Sequence, residues 1–555
     1  MAVGPEAAKS AILNSRRSSI LGPQSLKPKM TVRDIAKAKC DYSQQMISRN
    51  LRLLAAASAA ILSGCTVAPA PTTTPSTAVA PAPVSLRFLL INDVYFGDTV
   101  RNGTGGLSRV AYLRDSLAKG GPVTFVLAGD FMSPSLLSKW YRGEQMLEEL
   151  NAAGINRVTF GNHEFELDRD TLVSRIANSR FKWTSANCMQ ASGEPFPGVS
   201  KWDTSTISGV KVGVFGVTIV SDYRKYVKCS NADSAAHEAI AALKVAGAEV
   251  VYGLTHQTLE ADSALLSREP ALDFILGGHE HEWHRILVGE KRLLKADANA
   301  RSAQYFTLTK SPTGWMQADR LIQIDRTLPM QAATQAVVTQ WNDSLVKRLG
   351  PEHVVATTSF PLDGRDAVNR AQESPLGDLV QDAIRLGTNA DAAIMNSGTM
   401  RIDDVIPAGP ITNYQIESIF LFPDETRIMT FPITGARLRE ILEHGVAAGS
   451  VGKGPYLQVS GLKYSWDPSK PSGSRIVGSI HRADGSVIKP SDTIKLSFNV
   501  YPACDSGDGY SVPEAKAACA VRDSAPRAVD LLMKHITDRL HGRVDAPDAG
   551  RVTRL

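Results

Sequence analysis

Five short polar clusters in the first half of the chain carry residue types that bind metal ions and move protons. Each follows an apolar run: Asn92-Asp93-Val94-Tyr95, Gly129-Asp130, Gly161-Asn162-His163-Glu164, Thr255-His256 and Gly277-Gly278-His279-Glu280-His281. Carboxylate oxygens and imidazole nitrogens suit Zn²⁺, Mn²⁺ or iron. Two such ions about 3.5–4 Å apart can bind a phosphate ester and activate water for in-line attack on phosphorus. A lone His or Gly-Asp usually has a structural role, but five such clusters in succession predict a dinuclear metal site.

Short apolar runs along this half are predicted to be strands, and four of them directly precede a cluster. They are Ser85–Ile91, Val123–Ala128, Val212–Val217, Val250–Leu254 and Phe274–Leu276, with helical patterns at Glu144–Ala153 and Ser234–Ala246 between some of them. Strands that alternate with helices favour a layered α/β domain, here residues 85–326. Because α/β sheets collect their active sites at strand ends, we expect the five clusters to converge at one sheet edge.

The remaining length predicts a second domain. A chain of 555 residues exceeds the size at which a single core stops growing. A helix pattern at Gln331–Leu349, between two prolines, is typical of a connector, and we assign residues 327–350 to it. A second α/β region then covers residues 351–545.

The N-terminal region has the order of an export signal. A basic stretch precedes the apolar run Leu51–Leu62, and Leu62-Ser63-Gly64-Cys65 resembles the lipobox of bacterial lipoproteins. Residues 1–65 are therefore predicted to direct export, with lipid on Cys65 as a membrane anchor facing the periplasm. A plain secretory signal is the alternative. The position of the apolar run suggests translation from Met46, which would make residues 1–45 an extension, and residues 66–84, rich in Pro, Ala and Thr, form a tether.

The charge distribution argues against a nucleic-acid polymer as partner. The chain has 61 Lys and Arg against 56 Asp and Glu. Residues 1–65 hold 10 of the basic and 3 of the acidic residues, so the rest carries 51 against 53. A basic binding surface is therefore not indicated for the mature protein.

Four cysteines follow Cys65: Cys188, Cys229, Cys504 and Cys519. In an exported protein they permit two disulfides in any of three pairings. We favour Cys188–Cys229 and Cys504–Cys519, because each pair lies within one predicted domain. Free buried thiols are the alternative, and the spacing does not resemble a zinc site.

The clusters together resemble the calcineurin-like metallophosphoesterase superfamily and, within it, the 5′-nucleotidase family. Gly161-Asn162-His163-Glu164-Phe165 is the most specific segment, and the resemblance spans almost all of residues 85–540. It implies an α/β protein with an N-terminal four-layer αββα metallophosphoesterase domain and a C-terminal α/β substrate-binding domain. It also implies a two-metal enzyme that hydrolyses nucleotides to nucleoside and phosphate.

The same resemblance implies a role for each residue of the clusters. Asp93 and His281 would hold one divalent ion, Asn162, His256 and His279 the other, and Asp130 would bridge them. His163 would stabilise the transition state and assist the leaving oxygen. Glu166 would orient His163 in place of the family's usual Asp, with Asp168 a weaker alternative.

One ligand position departs from the family pattern. The first motif is usually Asp-x-His, but Tyr95 stands where the His ligand would be. A neutral phenol replaces imidazole poorly, so the first ion is expected to bind weakly or to differ in identity. Loss of activity by drift is the alternative interpretation of both Tyr95 and Glu166.

In the second domain, Asn396 to Arg401 resembles the family's Asn-Gly-Gly-x-x-Arg segment, so Asn396 and Arg401 are expected to bind substrate, Arg401 through its phosphate. Phe422 and Tyr501 would stack on a base, and Asp508 would accept hydrogen bonds from ribose hydroxyls. Isolated aromatics are more often core residues. Departures also occur here: Ser506 replaces a glycine, one residue is added before Asp508, and Gln372 stands where an arginine is expected, with Arg370 nearby.

Two other functions remain open at this point. The substrate could be a cyclic nucleotide, a nucleotide-sugar or a non-nucleotide ester. Alternatively, the protein could be a surface lipoprotein that binds nucleotides with little or no catalysis, which Tyr95 keeps possible.

Overall fold

The computed structural model describes residues 83–100, 103–219, 224–402, 404–422 and 426–555. The predicted signal region, Cys65 and most of the tether lie outside these ranges. Pro81–Leu555 forms one compact unit by its internal contacts. Within the described part of the chain, no helix has the length and apolar character needed to cross a bilayer.

The first half contains two large sheets. Its strands are β1 (Ser85–Ile91), β2 (Thr124–Ala128), β3 (Arg157–Thr159), β4 (Lys182–Thr184), β5 (Cys188–Gln190), β6 (Val199–Ser200), β7 (Trp202–Ile207), β8 (Val210–Thr218), β9 (Val227–Cys229), β10 (Val250–His256), β11 (Phe274–Gly277), β12 (His284–Val288), β13 (Lys291–Lys295), β14 (Ser302–Ser311) and β15 (Gly314–Gln323). One sheet has the order β15-β14-β1-β2-β3-β4-β6 and the other β12-β13-β11-β10-β8-β7.

The helices of this half pack on the outer faces of the two sheets or on one another. They are α1 (Leu107–Ala118), α2 (Leu136–Tyr141), α3 (Glu144–Ala153), α4 (Arg169–Asn178), α5 (Ala232–Val245), α6 (Leu259–Arg268) and α7 (Ala332–Leu349). α1, α3 and α4 bury apolar residues against the first sheet, and α5 and α6 do so against the second. α7 packs on other helices.

The alternation of side chains along β1 explains the layering. Phe88 and Leu90 enter the core between the two sheets, whereas Leu89 and Ile91 enter the core beneath the first set of helices. A strand with both faces buried must be mainly apolar, and residues 88–91 form an unbroken apolar run. The four-layer αββα arrangement predicted from the family resemblance is confirmed.

The predicted strands and helices of this half are found close to their predicted bounds. α3 has the predicted bounds, Glu144–Ala153. The strands β8, β10 and β11 are longer than the predicted runs by three, two and one residues. The last residue of β10 is His256, so this predicted ligand lies on the strand itself.

Both favoured disulfides are present. Cys188 and Cys229 face each other across the antiparallel pair β5–β9. Cys504 and Cys519 join two short helices of the second half, 15 residues apart in sequence. The predicted pairing is therefore confirmed.

The second half is a smaller α/β region. Its strands are β16 (Val354–Thr358), β17 (Leu362–Asp363), β18 (Ala392–Asn396), β19 (Val405–Ile406), β20 (Gly409–Thr412), β21 (Ile428–Thr434), β22 (Leu457–Ser460), β23 (Leu462–Trp466), β24 (Ile476–Arg482), β25 (Thr493–Asn499), β26 (Arg543–Val544) and β27 (Val552–Arg554). Its helices are α8 (Asp366–Asn369), α9 (Pro375–Gly387), α10 (Asn413–Ile419), α11 (Gly435–Gly445), α12 (Val500–Cys504), α13 (Lys516–Cys519) and α14 (Ala528–Lys534).

A four-stranded sheet, β21-β25-β18-β22, organises this region. β18 is fully buried and carries Asn396 at its end, so the strand ends in a buried polar side chain. α9 packs on this sheet and begins at Ser374, whose hydroxyl accepts from the backbone N–H of Gly377. Arg551, beside β27, donates two hydrogen bonds to Asp382 of α9 and ties the last strand to that helix.

Candidate active site

The polar clusters converge where the two large sheets meet at their strand ends. Glycines make the approach possible: a Cβ on Gly129 would lie 2.7 Å from His256 Nδ1, and one on Gly278 would lie 2.2 Å from the carbonyl oxygen of Ala128. Any side chain at either position would push the loops apart. The sequence prediction that the clusters meet at one edge agrees with this geometry.

Asp93, Asp130 and His256 lie at the centre of the cluster. One ligand atom from each lies within 4.8 Å of the others, and all three side chains are buried. His256 Nδ1 lies 2.8 Å from the carbonyl oxygen of Ala128. Since a carbonyl only accepts, Nδ1 carries the proton and Nε2 is left to bind a metal.

Several buried atoms at this centre suit a cation. Within the described structure Asp93 Oδ1, Asn162 Oδ1 and His256 Nε2 are buried without a hydrogen-bond partner, although His256 Nε2 lies 3.0 Å from Asp130 Oδ2. Buried polar atoms are nearly always satisfied, so these three atoms fit a site that a bound cation would complete. The donor set of carboxylate, amide oxygen and imidazole fits divalent metal ions.

Backbone strain is concentrated at the same residues. Asp93, Asp130 and His279 have φ angles of 53°, 57° and 87°, in the left-handed region that disfavours residues with a Cβ. Such strain persists only where surrounding structure fixes it, and it is found preferentially at functional sites. Here the loops are held in the conformation that directs these side chains inward.

His279 and His281 approach from the loop after β11. The backbone N–H of His279 donates to Asp93 Oδ2, and its ring stands edge-on to His256 at 5.2 Å. Burial and the neighbouring His256 lower the pKa of His279 to about 4, which keeps it in the neutral form that binds metals. His281 Nε2 lies 3.7 Å from Asp93 Oδ1.

His163 and Glu166 form a hydrogen-bonded pair beside Asp130. His163 Nδ1 lies 2.8 Å from Glu166 Oε1, and its Nε2 lies 3.8 Å from Asp130 Oδ2. Burial lowers the pKa of His163, but the carboxylates of Glu166 and Asp130 outweigh it and raise the pKa to about 9. Asp168 lies elsewhere: it caps α4 and pairs with Arg142, so Glu166 is the carboxylate that contacts His163.

Arg401 of the second half reaches the same pair. Its Nη2 donates to Glu166 Oε1 at 2.8 Å, and its guanidinium lies 5.1 Å from the centre of the Phe422 ring. Burial would raise the pKa of Glu166, but Arg401 and His163 outweigh it and lower the pKa to about 2. Glu166 therefore stays ionised and links the two halves of the molecule at the candidate site.

Tyr95 occupies the position at which a His ligand is usual. Its Oη lies 3.3 Å from Asp130 Oδ2 and 3.3 Å from His281 Nε2. Burial and the carboxylates of Asp130 and Asp93 raise the pKa of Tyr95 well above its ordinary value, so the phenol keeps its proton beside these groups.

Three residues that support the site had no role assigned from sequence. Glu164 accepts four backbone N–H groups, those of Asp130, Phe131, Met132 and Gly161. Asn92 binds the loop at Ala296 through both atoms of its amide, and buried Lys295 donates to the carbonyl oxygens of Gln257 and Gly278. Since only the fold brings these partners close, sequence offers little to identify the three residues beyond a Glu beside His163.

The predicted nucleoside residues lie around the end of β18. Asn396 Nδ2 donates to Asp508 Oδ2 at 2.6 Å, and the Tyr501 ring packs against Gly507 so closely that a Cβ there would lie 2.5 Å from it. Ser506 and Asp508 both have φ of 56°, which explains why glycine is usual at the first of them. Arg370, directly after α8, pairs with Asp366 of that helix.

A cavity of about 500 Å³ opens beside Glu166 and Phe422. Its walls come from both halves, including Ser133 and Arg224 from the first and Arg427 from the second. Clefts between lobes are frequent ligand sites, and this one is continuous with residues of the candidate site.

Two family models match the chain. The model described as calcineurin-like phosphoesterase matches residues 86–283, and that described as 5′-nucleotidase, C-terminal domain, matches residues 354–515. The matches include the metal cluster in the first case and Arg401, Phe422 and Asp508 in the second. The chain belongs to the 5′-nucleotidase family of calcineurin-like phosphoesterases. As a member of that family it is a metal-dependent phosphoric ester hydrolase.

Individual relatives agree with this assignment. The chain is 23% identical over 490 residues to 5′-nucleotidase from Diplobatis ommata, covering 78% of this chain and 84% of that one. It is 26% identical over 474 residues to endonuclease YhcR of Bacillus subtilis, covering 77% of this chain but only 38% of YhcR. Its fold resembles the crystal structure of a 5′-nucleotidase precursor from Thermus thermophilus, with a TM-score of 0.71 and 23% identity over 85% of this chain and 99% of that one.

Proposed function

We propose that the protein hydrolyses nucleotides to nucleoside and phosphate outside the cytoplasm, using two divalent metal ions. The observation that carries the proposal is the buried cluster of Asp93, Asp130 and His256, whose ligand atoms face one another within 4.8 Å. It lies beside His163, whose partner Glu166 pairs with Arg401 from the domain matched as 5′-nucleotidase.

Six side chains would hold the metals. Asp93 and His281 would bind the first ion, and Asn162, His256 and His279 the second, with Asp130 between them; Tyr95 lies beside the first position. When bound, the ions would neutralise phosphate charge and activate a water molecule for attack. Metal analysis of the purified protein identifies the two ions, starting with zinc and manganese.

His163 would donate to the reacting phosphoryl group. With Nδ1 held by Glu166, its Nε2 faces the metal cluster, and the raised pKa keeps the imidazolium protonated at neutral pH. A positive donor fixed at this point stabilises negative charge that develops on the phosphoryl oxygens and the leaving oxygen.

Arg401 would bind the substrate phosphate from the opposite side. The guanidinium already lies in hydrogen-bond contact with Glu166, the partner of His163. A phosphate between the lobes would meet two fixed cations, His163 and Arg401, that share one carboxylate. A guanidinium suits this task because its N–H groups match phosphate oxygens.

The nucleoside would extend into the second half. Phe422 and Tyr501 would stack on the base, and Asn396 and Asp508 would bind its ribose. The hydrogen bond from Asn396 to Asp508 supports this, because it fixes the carboxylate at the end of β18.

Export and lipid attachment at Cys65 remain part of the proposal. The two disulfides support export, since structural disulfides persist mainly in oxidising compartments. Mass spectrometry of the N-terminus tests the anchor: a chain that begins with lipidated Cys65 is expected, and an unmodified chain that retains residues 1–64 would contradict it.

The alternative is a different phosphoester substrate. Because the relative YhcR is named an endonuclease, phosphodiesters should be among the substrates tested. A panel of 5′-nucleotides, cyclic nucleotides, nucleotide-sugars and p-nitrophenyl phosphate, with and without a chelator, tests the proposal. We expect chelator-sensitive phosphate release, fastest from 5′-nucleotides. Preference for another class would assign the substrate differently, and no release from any would favour a nucleotide-binding lipoprotein.

A further inference from the structure

Tyr95 Oη is placed as a metal ligand would be. Its distance of 3.3 Å to Asp130 Oδ2 is long for a hydroxyl–carboxylate hydrogen bond, and it lies equally far from His281 Nε2. Bonds of about 2.0–2.2 Å to oxygen and nitrogen place neighbouring ligand atoms roughly 3.0–3.5 Å apart. The spacing is therefore that of ligands around one ion.

The phenol is also held rigidly in this position. Asn299 accepts from the backbone N–H of Tyr95 through Oδ1, and its own N–H donates to the carbonyl oxygen of Asp93. The Tyr95 ring is buried, standing edge-on to the rings of His163 and His281 at 6.0 and 5.7 Å. Because its backbone N–H is hydrogen-bonded and its ring is packed against two histidines, the Tyr95 side chain cannot readily rotate. The position of Oη is therefore preorganised.

The four atoms make an oxygen-rich set. Asp93 Oδ1, Asp130 Oδ2 and Tyr95 Oη supply three oxygens, and His281 Nε2 supplies one nitrogen. The second position has two imidazoles, from His256 and His279. Oxygen ligands suit manganese and higher-valent iron, whereas imidazole suits zinc, so the two positions differ in the metal they favour.

We propose that Tyr95 Oη binds the first ion directly and makes this position prefer manganese or iron to zinc, giving a centre with two unlike metals. The inference depends on the two-metal centre proposed above. As the oxygen–metal bond forms, the phenolic proton passes to solvent, so loading of this position releases one proton more than the histidine equivalent would.

Metal content tests the inference independently of activity. The full chain and its variants are freed of metal, reconstituted with equal Mn²⁺ and Zn²⁺, and analysed by mass spectrometry. Tyr95→Phe removes only the hydroxyl and should lose about one ion per chain. Tyr95→His should keep two ions but shift the first towards zinc, by about tenfold or more in the Mn/Zn ratio. Tyr112→Phe, at an exposed tyrosine of α1, is the matched control.

A spectrum gives a second measurement. Chain reconstituted with ferric ion should show a visible phenolate-to-iron absorption band that the Tyr95→Phe and Tyr95→His variants lack and Tyr112→Phe retains. Two ions in Tyr95→Phe at the wild-type Mn/Zn ratio, or no visible band in the ferric wild-type protein, would overturn the inference while leaving the two-metal function intact. Absence of any bound metal from the wild-type protein would instead contradict the proposed function itself.

Discussion

Asp130 is the residue on which both predicted ion positions depend. Its Oδ2 lies 3.0 Å from His256 Nε2 and 3.3 Å from Tyr95 Oη, so one carboxylate faces both groups of ligands. Asp130→Asn should therefore lower turnover on the order of 10³-fold or more, with loss of bound metal. Phosphate release and metal analysis on the same preparation check this. Asp343→Asn, on the exposed surface of α7, should change neither.

Replacing His163 is expected to lower the rate of hydrolysis without changing the metal content. His163 lies beside Asp130 but is fixed by Glu166, and the proposed role is proton donation to the leaving oxygen. His163→Ala should lower the rate by about 10²–10⁴-fold. The exposed His237, which pairs with Glu269, supplies a control in His237→Ala. Loss of a metal ion from the His163 variant would show that its assigned role is wrong.

Sequence identifies residues of this site unevenly. Ligand residues such as Asp93 and His256 could be predicted because each follows or ends an apolar strand, and strand ends meet at one edge. The supporting roles of Glu164 and Lys295 could not be predicted, because only the fold brings their partners together. Glu164 binds backbone amides of two loops, and Lys295 binds backbone carbonyls and two carboxylates. Sequence shows that Tyr95 departs from the family pattern. Its distances to Asp130 and His281 are needed to identify Tyr95 Oη as a candidate metal ligand.

At the scale of elements, apolar strands were predicted closely and polar hairpins were not. β1, β8 and β10 are buried on both faces over most of their length, so they consist mainly of apolar residues. β12 and β15 largely alternate half-buried and exposed positions at the edges of their sheets, so they lack the long buried runs that mark the central strands.

Helix α3 carries an ionisable group whose environment makes stability depend on pH. Glu149 is buried with Oε2 unpaired in the described structure, and its carboxylate abuts Gly97. Burial, with Asp98 and Glu148 nearby, raises the pKa of Glu149 from 4.5 to about 8. The folded state therefore binds a proton that the unfolded state has released, and stability from this group falls as pH rises from 4.5 to 8.

Glu149→Gln should remove that pH dependence. The amide resembles the protonated acid, so stability at pH 4.5 should change little. At pH 8 the variant should gain on the order of 4 kcal/mol, or roughly 5 °C in melting temperature. Thermal denaturation at the two pH values measures this, with Glu260→Gln on the exposed face of α6 as control. Equal shifts at both pH values would contradict the assignment to Glu149.

At the scale of the whole molecule, function requires residues from both halves. Phe422 and Tyr501 lie far apart in sequence, yet both are expected to contact the base of a nucleotide whose phosphate lies on the first half. Replacing either with Ala should cost about 1–3 kcal/mol of stacking, or roughly 5- to 150-fold in affinity. The loss should appear mainly in KM for nucleoside monophosphates, because the base is held similarly in ground and transition states.

p-Nitrophenyl phosphate supplies the contrasting substrate. Its short body should not reach both rings, so the Phe422→Ala and Tyr501→Ala variants should hydrolyse it nearly as well as the wild-type protein. Equal losses on both substrates would indicate a folding defect. No loss on either would mean that the second half does not contact a base, and another substrate class would then be favoured.

The hydrogen bonds of the Glu164 carboxylate determine how the loops after β2 and β3 move. This carboxylate accepts from the amides of Asp130, Phe131 and Met132 after β2 and from Gly161 after β3, so none of the four can open while the carboxylate stays in place. The two loops should therefore open as a single cooperative unit. In native-state hydrogen exchange the four amides should share one opening free energy, and Glu164→Gln should speed all four by a similar factor, while the amide of Ser138, which donates to Ser135 Oγ, keeps its own rate.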